Sequence, residues 1–99
     1  MTDREKLAWF VGWEYVQDDK GTGWRRSGGI HPDYSPPQPS IEDYIAACEA
    51  RGWEFFVNDR GAGVRPKGRY WHTASRVDPP SARAALEAAI LKALEATGD

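Results

Sequence analysis

SIEDYIAACEARGWEFFV, residues 40–57, changes its hydrophobic period part-way along, and that change decides the fold class. Ile41, Tyr44, Ile45 and Cys48 fall at i, i+3, i+4 and i+7, the apolar stripe of a helix. Ser40 stands where its hydroxyl accepts from the amide three residues on, and Glu42 and Asp43 lie at the positive end of the helix dipole. Gly52 supplies the left-handed residue with which helices end. Trp53, Phe55 and Val57 then share one face of a strand, and Asn58-Asp59-Arg60-Gly61 closes it with turn chemistry. A helix that passes directly into a strand and a turn predicts an α+β domain, an antiparallel sheet of about three to four strands with helices packed on it.

Downstream, Gly63-Val64-Arg65-Pro66 reads as a short strand in which Pro66, having no amide to donate, belongs at an edge or at the strand's end. Residues 70–75, YWHTAS, are rich in aromatic and β-branched side chains and predict another strand. Asp78-Pro79-Pro80-Ser81 opens a last helix. Along it Ala82, Ala85, Leu86, Ala89, Ile90, Ala93 and Leu94 repeat at helical spacing, and the small alanines imply close packing on a sheet. Upstream, Thr2-Asp3-Arg4-Glu5 caps a first helix that carries Leu7, Phe10 and Val11 and stops at Gly12. An extended segment over Trp13–Gln17 runs into a turn cluster, residues 18–23. The glycines and prolines between Ser27 and Pro39 predict a long loop with no regular element.

Ninety-nine residues with 40% hydrophobic content have material for one core, so a single domain over 1–99 is expected. No stretch approaches the roughly 18 apolar residues of a membrane span. The opening Met1-Thr2-Asp3-Arg4-Glu5 lacks the order of a secretory signal, and a single cysteine fits a reducing compartment. A cytoplasmic protein, off the membrane, is the expectation. A formal net charge of -2 argues against generic nucleic-acid binding. Charge is nonetheless uneven: Arg60, Arg65, Lys67, Arg69 and Arg76 succeed one another with no acid among them between 60 and 76.

His31, His72 and Cys48 show no paired metal-ligand spacing, so neither metal nor cofactor is expected. Cys48 lies on the apolar stripe of its helix, where a thiol acts as a small hydrophobe. Ser27-Gly28-Gly29 and Gly61-Ala62-Gly63 do not lead from a strand into a helix as phosphate-cradling loops do. No paired acid and base marks a hydrolase, and the chain reads as a non-enzyme. What stands out is aromatic faces beside cations: Trp24 with Arg25 and Arg26, and Trp71 with His72 and Arg69. With Arg60, Arg65, Lys67 and Arg76 these form the candidate binding residues. Such a set serves base stacking and phosphate binding, and equally a protein interface. It also fits ordinary core filling with solvated charges.

Val11-Gly12-Trp13 after the first helix, Pro32-Asp33-Tyr34-Ser35 in the loop, Gly52-Trp53 after the second helix, and Pro80-Ser81-Ala82-Arg83-Ala84-Ala85-Leu86 opening the third carry a family resemblance. Over Leu7 to Glu95 the chain resembles the phage alpha-beta-alpha sandwich domain. The resemblance implies a small phage or prophage protein, helices on an antiparallel sheet, and no catalytic residues. The Pro36-Pro37-Gln38-Pro39 run and the basic strand region depart from that pattern. The expected function is binding: inhibition of a host protein such as an antiviral defence component, in the manner of an anti-CRISPR or other anti-defence protein. The alternative is sequestration of a phosphate-bearing signalling nucleotide, and a homodimer is compatible with both.

Overall fold

The computed structural model describes residues 2–18, 21–26, 29–31, 37–75 and 81–97. The fold is α+β: α1 (Asp3–Phe10), β1 (Glu14–Asp18), β2 (Gly21–Arg26), β3 (Gly29–His31), α2 (Ile41–Arg51), β4 (Glu54–Val57), β5 (Gly61–Arg65), β6 (His72–Ser75) and α3 (Ala82–Thr97). Two antiparallel sheets form, ordered β1-β2-β3 and β4-β5-β6. They fall in two compact units, Met1–Pro39 and Ser40–Asp99.

In the first unit, α1 begins with a reciprocal capping box. The Glu5 amide donates to Thr2 Oγ1 at 3.2 Å and the Thr2 amide donates to Glu5 Oε1 at 3.0 Å. The bond from the Thr2 amide holds the Glu5 carboxyl below its ordinary pKa. Gly12, at φ +101°, turns the chain into β1. The irregular loop expected over 27–39 requires correction, because β3 pairs with β2 there, Arg25 opposite Ile30 and Trp24 opposite His31. Three residues complete a ladder through backbone bonds alone, so composition poor in strand formers does not prevent pairing on a strand already in place. The turn cluster is likewise shorter than expected, since β2 already starts at Gly21. Pro32-Asp33-Tyr34-Ser35 lies outside the described residues.

In the second unit, Ser40 and Asp43 cap α2 as a capping box, and Gly52 ends it at φ +72°. The Trp53 amide donates back to the Cys48 carbonyl at 2.9 Å, which aims the chain into β4. Tyr44, Ala47 and Cys48 are buried while Ile41 and Ile45 are half-buried, so the packed stripe is centred one step round the helix from the one expected. Ser81 Oγ accepts from the Ala84 amide at 3.0 Å at the start of α3; Asp78-Pro79-Pro80 lies outside the described residues. Ala85, Leu86, Ala89, Ile90, Ala93 and Leu94 form the buried stripe of α3, which packs on β5 and β6, while α2 packs on α3 and β4. The buried Tyr44 hydroxyl donates to Glu87 Oε2 at 2.5 Å and ties α2 to α3. Burial, reinforced by that carboxylate, pushes the Tyr44 phenol well above its usual pKa. Among the described residues no helix is long and apolar enough to cross a membrane.

The β4–β5 hairpin turns through Asp59 and Arg60 without any non-glycine residue at positive φ. Its substitute for the usual mirror-image turn is the Asn58 side chain, whose Oδ1 accepts from the Arg60 amide at 2.8 Å and the Gly61 amide at 3.0 Å. Asn58→Ala leaves both donors without that acceptor and is expected to destabilise the unit by about 1–2 kcal/mol. A urea titration that gives the parent midpoint for this variant would refute the role of the side chain.

Candidate binding face of the second sheet

Successive strand residues point to opposite faces, and the register of β4-β5-β6 sorts them into two sets. Phe55, Val64 and His72 form one row of the packed face, and Val57, Ala62 and Ala74 the next. Val64 and Ala62 are buried at its centre. Glu54 and Arg65 lie across from each other on the opposite face, followed by Phe56, Gly63 and Thr73. This second face is open. Phe56 is 38% exposed and Trp71, which precedes β6, is 43% exposed.

Gly63 shapes this face. A Cβ there would stand 2.4 Å from Phe56 Cε1 and 3.0 Å from Thr73 Cγ2. Only glycine lets the Phe56 ring lie down over the central strand, and in that position the ring reaches Trp71, centroid to centroid 5.5 Å at 53°. Tyr70, 88% exposed, adjoins the pair in sequence. The preceding turn is closed by the Arg69 amide donating to the Pro66 carbonyl at 2.9 Å, with Gly68 at φ +75°, the arrangement of a type II turn. Lys67 and Arg69 project from it, both exposed.

The structure gathers some of the expected binding residues and separates others. Arg65, Lys67, Arg69 and Trp71 lie at or beside one end of the open face; Arg65 Nε is 3.0 Å from Glu54 Oε2. Arg60 is exposed in the hairpin turn at the other end of the sheet. His72 alternates away from Trp71 onto the packed face, and Arg76 lies outside the described residues. Trp24, Arg25 and Arg26 belong to the first sheet. There Trp24 is 5% exposed, edge-on to Tyr15 at 5.4 Å, so its ring is core rather than a stacking surface. The Arg26 guanidinium sits 4.7 Å from the Trp13 ring centroid as a cation–π contact within the unit. Phe56 and Gly63 are additions to the expected set. Their signals were in the sequence: the alternation that puts Phe55 and Val57 on the packed face puts Phe56 on the other, and a glycine inside a strand marks a close approach.

At the Arg60 end a shallow depression of about 330 Å³ is lined by Phe56, Asn58, Arg60, Thr73 and Ser75 among others. Among the described residues no three His, Cys, Asp or Glu side chains gather where they would hold a metal ion. Cys48 is fully buried, and burial pushes its thiol up to about 11. Native protein at pH 8 is therefore expected to resist iodoacetamide while urea-unfolded protein is alkylated. Rapid labelling of the native chain would contradict this placement of the thiol. No family model, curated protein or solved structure matches the chain.

Proposed function

We propose that the protein acts by binding, with the open face of β4-β5-β6 as its working surface and another protein as its occupant. The exposed Phe56–Trp71 pair, held over Gly63, carries this reading. Large rigid aromatics beside arginine are what the centres of protein interfaces are made of, and they concentrate binding energy because little freedom is lost on contact. The resemblance to the phage alpha-beta-alpha sandwich domain supports a more specific statement: the occupant is a host protein, a component of an antiviral defence system, which the domain inhibits. The depression at Arg60 favours a second reading, a phosphate-bearing nucleotide with its base against Phe56 and its phosphate toward Arg60.

Native mass spectrometry of the chain purified from its bacterial producer separates the two. Under the first reading a protein partner co-purifies and is lost from the Phe56→Ala/Trp71→Ala variant. A retained mass of nucleotide size, lost on Arg60→Gln, would favour the second. A partner held equally by all variants would contradict both.

A further inference from the structure

The turn beside the aromatic pair indicates the chemistry of the partner, given that the open face is the binding surface. Pro66–Arg69 is held closed by its own backbone bond, so Lys67 and Arg69 stand in a defined place next to Tyr70 and Trp71. Among the described residues neither has an acidic partner; the acid of this face, Glu54, is already paired with Arg65. The face thus presents an apolar centre with positive charge along one end that no acid among the described residues pairs. We propose that it receives an acidic protein segment carrying an apolar side chain: the apolar side chain covers the Phe56–Trp71 pair, and flanking carboxylates meet Lys67 and Arg69. Nucleic acid fits less well, because two cations on a chain of formal charge -2 neutralise few phosphates. Charges at a rim act chiefly on encounter rate and salt dependence, whereas the desolvated centre governs dissociation.

The test uses the full chain and a fluorescein-labelled peptide, acetyl-Glu-Asp-Glu-Leu-Phe-Glu-Asp-Glu-amide. Its counterpart with Gln and Asn in place of the acids, and an oligothymidine of similar length, are titrated in parallel by fluorescence anisotropy at two salt concentrations. The acidic peptide is expected to bind more tightly than the other two and to weaken with salt. Lys67→Gln/Arg69→Gln, its fold checked by thermal midpoint, is expected to lose about tenfold in affinity and most of the salt dependence. Phe56→Ala/Trp71→Ala is expected to lose binding to acidic and neutral peptides alike. If the neutral peptide binds as well as the acidic one and the charge variant is unchanged, the acidic partner is overturned while the open face stands. If the aromatic variant also binds the acidic peptide like the parent, the face itself is the wrong surface. Tighter binding of oligothymidine, or no binding of the acidic peptide at millimolar concentration, overturns the proposal.

Discussion

Gly61→Ala is expected to destabilise the Ser40–Asp99 unit by about 3 kcal/mol, a drop of roughly 10–20 °C in its thermal midpoint. Gly63→Ala, two positions along the same strand, is expected to cost far less. The difference lies in what each new methyl meets. At Gly61 the Cβ would sit 2.3 Å from the Ala74 carbonyl oxygen and 3.3 Å from the Ser75 Cα, both backbone, so relief requires β5 and β6 to move apart. At Gly63 the closest atoms, Phe56 Cε1 and Cζ, belong to a side chain that can rotate away. Gly63→Ala therefore keeps most of the stability and separates Phe56 from Trp71, visible as a change in near-ultraviolet circular dichroism. Equal midpoints for the two variants would contradict this reading of the central strand.

Ile90→Asp is expected to leave the same unit unfolded at room temperature. Ile90 is fully buried in the middle of the α3 stripe, and among the described residues no buried polar or charged side chain stands ready to receive a carboxylate. Burying an unpaired carboxylate costs several kcal/mol, comparable to the whole stability of a small domain, about 5–15 kcal/mol. Ile45→Asp, on the half-buried shoulder of α2, is expected to be milder, because that side chain already has access to water. Far-ultraviolet circular dichroism and urea titration of both variants check the order. A folded Ile90→Asp protein with the parent midpoint would show that α3 packs through another face.

Where sequence and structure agree, the cause is local chemistry that few other arrangements satisfy. Ser40 with Asp43, Gly52, and the alanine-rich spacing of α3 each specify a helix end or a packed stripe from neighbouring residues alone. Disagreement appears where pairing is long-range. β3 has only three residues and owes its strand geometry to β2, so nothing within Gly29–His31 announces it. The candidate face follows the same division. Trp71, Lys67 and Arg69 were legible as aromatic and basic residues, but Trp24 looked equally eligible until its burial, edge-on to an exposed Tyr15, placed its ring in the core. His72 lost its place for a simpler reason, since one step along a strand reverses the face.

The most direct test of the working surface is site-directed photocrosslinking in cells that produce the protein. Tyr70, 88% exposed beside Trp71, is replaced by p-benzoylphenylalanine, and Glu95, exposed on α3, serves as the control position. One protein adduct is expected from position 70, abolished when Phe56→Ala is added, and no such adduct from position 95. An adduct from position 95 but not 70, or one from position 70 that Phe56→Ala leaves undiminished, would contradict the assignment of function to the open face.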